Sequence, residues 1–449
     1  MNLLQLTPGA GAMYCGNCLR DNALVAELRR QGHAVTMVPL YLPLTLDEED
    51  QSAGTPVFFG GISVYLDQKL PWFRGLPHFV RRLLANEGLL RRAAGRTAKT
   101  RAADVGDLML SMLRGEEGNQ ARELDELLGW LERQPRPDVV TLSNVLLVGL
   151  ARRLKAGLGA RIVGTLQGED GFLDALPPAH RDEAWRLLRE RAAEVDLFIA
   201  PSRYFGERMT RRLGLDSARV RVIPNGLNLE GYDGPRLTGG GGALVRESGS
   251  AVTRHPAPVL GYFGRMCREK GLDTLVDAFI ELKRRDRVPR LKLHVGGGCG
   301  PGDEPFVKEQ RKRLAAAGCI GETQFVTNLS RAEKIAFLRG LSVFSVPADC
   351  GEAFGLYVLE ALAAGVPVAQ PRVAAFPEIV EATGGGVLCA PGSPLALADA
   401  IEGLLLDPQQ ARAMGEHARR VVRERFTVEA MADEVVRAYA GLLRGKAAG

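Results

Sequence analysis

Val259-Leu260-Gly261-Tyr262-Phe263-Gly264-Arg265-Met266-Cys267-Arg268-Glu269-Lys270-Gly271 sets the architecture. An apolar run without polar alternation reads as a strand buried on both faces, the signature of a parallel sheet. A basic turn opened by glycine follows, and then a helical pattern over residues 271–285. Further strands are predicted at 291–295, near 323–326 and at 343–346, with a helix over about 356–364. Strand, loop and helix in alternation make a doubly wound α/β domain, and such domains hold ligands outside the carboxyl ends of their strands.

The same grammar runs through the first half. Leu3-Leu4-Gln5-Leu6 is a short buried strand, Pro8-Gly9-Ala10-Gly11 a turn, and residues 17–31 a helix stopped by Gly32. Strands are predicted next at 34–39, 57–64, 138–141, 161–165 and 196–200. Between the halves, Gly239-Gly240-Gly241-Gly242 marks a linker or surface excursion. The 449 residues therefore divide into an N-terminal domain over 1–230, a linker over 231–255, a second domain over 256–426, and a final helix over 427–449 expected to return to the first domain.

Composition excludes several classes. Hydrophobic residues at 46% and charged residues at 25% are the balance of a globular protein rather than a disordered or fibrous one. No apolar run approaches the roughly 20 residues needed to span a bilayer, and no basic segment precedes the short apolar start. The net charge of +5, from 58 basic and 53 acidic side chains, suits small anions or anionic lipid and does not call for nucleic acid. Seven scattered cysteines are no secreted disulfide framework, so the expected compartment is the cytoplasm.

Three loops carry the chemistry. In Glu352-Ala353-Phe354-Gly355-Leu356-Tyr357-Val358-Leu359-Glu360 two carboxylates stand eight residues apart across a loop that becomes a helix. Gly355 lets main-chain N–H groups approach an anion, to which the helix start adds its positive end. On spacing alone, Glu352 reads equally as a helix cap and Glu360 as a solvated helix residue. Arg265 and Lys270 follow a buried strand and can converge on one phosphate, Arg by its planar fork and Lys as a point charge. The third loop, Gly296-Gly297-Gly298-Cys299-Gly300-Pro301-Gly302, follows the next strand.

Together these residues resemble the GT-B-fold glycosyltransferases of family 4, the retaining, glycogen-synthase-like group marked by a Glu-x7-Glu motif. Val222-Ile223-Pro224-Asn225-Gly226, Ala363-Ala364-Gly365-Val366-Pro367-Val368 and Pro377-Glu378-Ile379-Val380 share in the resemblance. It implies two Rossmann-like doubly wound domains facing a central cleft. It also implies hexosyl-type transfer from a nucleotide-sugar donor, bound by the second domain, to a sugar, lipid or small-molecule hydroxyl acceptor on the first. Arg265 and Lys270 would clamp the diphosphate, Glu352 would bind the transferred sugar, and Glu360 would bind the ribose. Phe354, Gly355 and Leu356 would offer main-chain N–H groups, with Gly11, Gly264, Gly298 and Asn328 completing the donor site and the base lying near Val326, Thr327 and Asn328. The resemblance implies same-face attack assisted by the leaving phosphate, with no metal and no cofactor beyond the co-substrate.

The sequence departs from the family at Gly164-Thr165-Leu166-Gln167-Gly168-Glu169-Asp170, where many relatives carry a His on the acceptor side. Gln167 would hydrogen-bond an acceptor hydroxyl but take no proton, which Glu169 could do; alternatively Gln167 is a loop residue and Glu169 a cap. Phe58-Phe59-Gly60-Gly61-Ile62-Ser63-Val64-Tyr65-Leu66 and Pro71-Trp72-Phe73 are weakly similar to glycogen and starch synthases and equally suit a core. Residues 78–101 are basic and amphipathic, fitting peripheral contact with anionic lipid at the inner membrane face or a solvated helix face. Cys15, Cys18, Cys267, Cys299 and Cys350 fall at strand ends, where they suit packing as small apolar residues, or, beside a cationic site, would gain thiolate character. A nucleotide-sugar epimerase or hydrolase, or a non-catalytic sugar-nucleotide sensor, would share these features. A dehydrogenase is disfavoured, since no Gly-x-Gly-x-x-Gly opens either half.

Overall fold

The computed structural model of the chain describes residues 1–9, 16–59, 102–233 and 257–445. Gly11, Cys15, the basic segment 78–101, the aromatic stretch beyond Phe59 and nearly all of the glycine-rich excursion lie outside the described residues. Packing divides the chain into two compact units, Met1–Ile223 with Met431–Gly449, and Pro224–Ala430.

The first unit is built on six parallel strands: β1 (Asn2–Thr7), β2 (Ala34–Pro39), β3 (Val139–Leu142), β4 (Arg161–Thr165), β5 (Leu197–Ala200) and β6 (Val220–Val222), ordered β2-β1-β3-β4-β5-β6. Every residue of β3 and β5 is buried, as strands covered on both faces must be. The helices are α1 (Gly16–Arg30), α2 (Ala102–Arg114), α3 (Ala121–Leu131), α4 (Ala151–Leu158), α5 (Glu169–Asp174), α6 (Pro178–Arg191) and α7 (Arg203–Leu213). From residue 431 on, the last helix belongs to this unit, and its Tyr439 hydroxyl lies 2.6 Å from Thr141 Oγ1 of β3. The strand predicted at 57–64 is not formed over the described residues 57–59. Phe59 is fully buried and donates a single main-chain bond to Leu40 O, so its apolarity reports burial without strand pairing.

The second unit has β7 (Val259–Phe263), β8 (Lys292–Gly297), β9 (Thr323–Thr327), β10 (Val343–Phe344), β11 (Val368–Pro371) and β12 (Gly386–Cys389), ordered β12-β11-β10-β7-β8-β9 and again all parallel. Counting from β7, this is the 6-5-4-1-2-3 arrangement of a complete six-stranded Rossmann sheet, and the order reverses between β7 and β10. Its helices are α8 (Leu272–Arg285), α9 (Glu304–Ala316), α10 (Arg331–Arg339), α11 (Leu356–Ala363), α12 (Phe376–Thr383), α13 (Pro394–Leu406) and α14 (Pro408–Arg425), and α15 (Val428–Arg444), which starts here, belongs to the first unit from Met431 on. Leu272, Leu275, Val276, Phe279 and Leu282 make a buried stripe at helical spacing on α8. Each such side chain contributes roughly 1.5–3 kcal/mol by leaving water. Lys283, Arg284 and Arg285 fill the last turn, where cations suit the helix dipole, before Asp286 turns left-handed at φ 51°. Among the described residues no helix is long and apolar enough to cross a membrane.

Candidate active site

Strand order places the loops after β7 and β10 side by side, at the switch point where open α/β sheets form a crevice. Gly264 N donates to Gly296 O at 3.1 Å and Met266 N to Gly298 O at 2.8 Å, which ties the loop after β7 to the glycine-rich loop after β8. The buried Tyr262 hydroxyl donates to Arg265 O at 2.6 Å. On this scaffold the Arg265 guanidinium meets Asp303 edge-on, Nε to Oδ2 and Nη2 to Oδ1, both at 2.9 Å. Those hydrogen bonds hold the Asp303 carboxyl below its ordinary range.

The loop then makes one short turn, Arg268–Lys270, and ends at Gly271. Gly271 has φ +70°, and a Cβ there would lie 2.0 Å from Pro347 O, so only glycine lets the two loops pass at this distance. Lys270 Nζ consequently reaches the loop after β10 and pairs with Glu352 Oε1. Tyr357 Oη donates to the same oxygen at 3.0 Å, and Lys270 Nζ stands 5.7 Å from the centre of the Tyr357 ring. Phe354 is buried, Gly355 has φ +100°, and Leu356 is the first residue of α11, so the three predicted main-chain donors stand at a helix N-terminus. Glu360, on α11, accepts from Lys334 Nζ at 2.9 Å.

Of the residues singled out in the sequence, Lys270 and Glu352 are in direct contact. Arg265 is tied to the glycine-rich loop through Asp303, Gly298 is bonded to the chain beside Arg265, and Asn328 follows β9 with φ +57°. Sequence reasoning missed Asp303, Tyr357 and Lys334. Ser330-Arg331-Ala332-Glu333 forms the capping box that starts α10, which carries Lys334, but that signal marks the helix and not the partner of the lysine. Two of the thiols side with packing rather than with thiolate character. Burial and the nearby Glu269 push Cys267 up to about 11, outweighing Arg265, and burial raises Cys299 as well.

In the first unit, Gln167 and Glu169 lie just past β4. Glu169 Oε2 accepts from Gln167 N at 2.8 Å and Oε1 from Val145 N at 3.1 Å. The carboxylate put forward as a proton acceptor thus has both oxygens engaged by main-chain donors, and its neighbour Asp170 is held by Arg208 Nε at 2.5 Å. Burial nevertheless pushes Glu169 up to about 7, against the pull of those amides. A carboxyl with a folded-state value above its unfolded one binds more protons when folded. Glu169's own contribution to stability should therefore fall as pH rises from about 4.5 to 7, by on the order of 2 kcal/mol, while half-buried His294, pushed down to about 4, contributes in the opposite direction between about pH 4 and 6.5. Urea denaturation of the parent and of Glu169→Gln across this range isolates the Glu169 part: the stability difference, parent minus variant, should shrink as pH rises from about 4.5 to 7, and a difference independent of pH would remove the raised carboxyl.

Comparison with known proteins adds the family. The description "Glycosyltransferase Family 4" matches residues 110–230, and "Glycosyl transferases group 1" matches residues 247–421, the stretch holding Arg265, Lys270, Glu352 and Glu360. The chain is a family 4 glycosyltransferase. This glycosyltransferase is 27% identical over 322 residues to the glycogen synthase of Mycobacterium tuberculosis, covering 70% of this chain and 71% of that one. Sucrose-phosphate synthase from Thermosynechococcus elongatus superposes with a TM-score of 0.72 at 20% identity, covering 99% of this chain and all of that one. HepE of Anabaena, in complex with UDP-glucose, does so at 0.67 and 17%, covering 98% and 100%. Both likenesses establish the GT-B fold. The enzyme acts on nucleotide sugars, and its two doubly wound units are those the fold requires.

Proposed function

We propose that this glycosyltransferase moves a hexosyl group, with retention and without a metal, from a nucleoside-diphosphate sugar seated in the second unit to a hydroxyl acceptor served by the first. The observation that carries this reading is the pairing of Lys270 with Glu352 at the switch point, beside the N-terminus of α11. When the glycosidic phosphate bond breaks, negative charge gathers on the leaving diphosphate. Arg265, Lys270 and the amides of Phe354, Gly355 and Leu356 supply fixed positive charge for it. Glu352 turns Oε1 to Lys270 and Tyr357, and its Oε2 serves the hydroxyls of the transferred sugar. Glu360 takes the ribose, Gly264 and Gly298 leave room for the phosphates, and Asn328 stands beside the base. With the carboxylate of Glu169 engaged by amides, the acceptor proton goes to the leaving phosphate oxygen, and Gln167 orients the acceptor. The UDP-glucose bound in HepE supports a nucleotide sugar as donor.

A thermal-shift screen with uridine, guanosine and adenosine diphosphate sugars identifies the donor, since a ligand at about 100 times its Kd adds about 2.7 kcal/mol. With that donor and EDTA present, Glu352→Gln should impair transfer while nucleoside diphosphate affinity stays nearly intact, and Glu360→Gln should weaken nucleoside diphosphate binding. Unchanged affinity in Glu360→Gln would remove the ribose role. Donor breakdown without glycosylated product would move the reading to a hydrolase.

A further inference from the structure

Asp303 is the first residue of the helix junction after the glycine-rich loop, and its side chain does something unusual for that position. An aspartate at a helix N-cap ordinarily accepts from the amides of the first turn, which stabilises the helix. Asp303 occupies the N-cap of α9 and makes no side-chain cap bond. Its carboxylate turns away from its own helix, accepts both forked donors of Arg265 at 2.9 Å, and takes a longer bond of 3.3 Å from Gly300 N. The Asp303 side chain is 9% exposed and the Arg265 side chain 65%. A buried, doubly anchored carboxylate therefore holds one edge of a guanidinium whose remainder is open to solvent.

The edge matters. A guanidinium presents its N–H donors in a rigid plane, with Nε and Nη2 on one side and Nη1 and Nη2 at the end. Asp303 takes the Nε–Nη2 side, which leaves Nη1 and the outer hydrogen of Nη2 directed outward, again as a fork that matches two phosphate oxygens. An exposed arginine loses several rotors of freedom on binding an anion, and one already fixed loses less.

We propose that Asp303 is a positioning residue for the phosphate clamp: it fixes the Arg265 plane so that the free end of the guanidinium meets the donor diphosphate. This rests on the assignment of Arg265 to the diphosphate. The opposite role, a latch that competes with phosphate for Arg265, predicts the opposite sign of effect.

Calorimetry with UDP, GDP and ADP, each beside its own nucleoside, separates these cases. For whichever pair binds best, Arg265→Ala should weaken the diphosphate far more than the nucleoside. Asp303→Asn keeps the shape and removes the charge, and it should weaken the diphosphate roughly fivefold, the scale of a part-exposed ion pair, while leaving the nucleoside within about twofold. In the Arg265→Ala background the same change should have no further effect, a coupling that a purely structural role for Asp303 would not produce. If Asp303→Asn is poorly folded by its melting curve, Asp303→Glu, which displaces the same charge by one methylene, should show the same diphosphate-selective loss. Tighter diphosphate binding in either variant, or equal losses for diphosphate and nucleoside, overturns the positioning role while the clamp stands. Indifference of diphosphate binding to Arg265→Ala, or no binding of any diphosphate, overturns both.

Discussion

Lys270→Ala is expected to lower turnover on the order of 10²-fold, the usual effect of deleting one preorganised charge that faces the developing negative charge of a transition state. Two losses add. The leaving diphosphate loses a cation, and Glu352, whose side chain is 17% exposed, loses the counter-charge on Oε1 and keeps only the Tyr357 hydroxyl there. A carboxylate so enclosed is costly to leave unpaired, so it will reorient, which withdraws Oε2 from the sugar. Lys270→Arg should rescue little, because the wider planar fork must fit where a compact ammonium sits between Glu352 and the Tyr357 ring. Single-turnover rates at saturating donor, with nucleoside diphosphate affinity measured in parallel, check this. A turnover loss of less than about threefold would show that neither charge stabilisation nor Glu352 placement depends on Lys270.

The parts of this site that the sequence exposes are those with local chemistry. A buried apolar run followed by glycine and a cation is readable because strand burial and loop geometry are both written within a dozen residues, and Ala34–Pro39 and Arg161–Thr165 form at the predicted residues. The predicted strand at 343–346 pairs regularly over two residues, Val343–Phe344, although Ser345 N still donates to Gly261 O. Edge strand Val220–Val222 escaped notice because two of its three residues are exposed and it lacks the continuous apolar signal. The counter-ions were illegible for a different reason. Arg265 and Asp303 are 38 residues apart, and Lys334 and Glu360 are 26 apart. Nothing in either local stretch names its partner, since the pairing follows from strand order, and strand order is a property of the whole sheet.

Gly297→Ala is expected to damage this site through the backbone alone. Gly297 closes β8 with φ +124°, a conformation that L residues adopt at a strain of roughly 1–3 kcal/mol. A Cβ there would also lie 2.0 Å from Gly264 O and 2.7 Å from Gly264 C. Those are main-chain atoms at the root of the Arg265 loop, pinned from the other side by the bond from Gly264 N to Gly296 O, so no side chain can swing clear. Relief requires the two loops to separate, which moves Arg265 and breaks a ladder position of the central strand pair. A destabilisation of about 2–3 kcal/mol should lower Tm by roughly 5–10 °C for a unit of this size. Gly298→Ala is the matched control: the neighbouring position has nothing within 4 Å of an added Cβ. Its Tm should stay within about 2 °C of the parent, as for an unencumbered surface substitution. If the donor phosphates lie against this loop, Gly298→Ala should still weaken nucleoside diphosphate binding, because the added methyl occupies the space the ligand would use. Equal melting temperatures for the two variants would mean that the close approach at Gly297 relaxes freely, and unchanged ligand affinity in Gly298→Ala would move the diphosphate away from the glycine-rich loop.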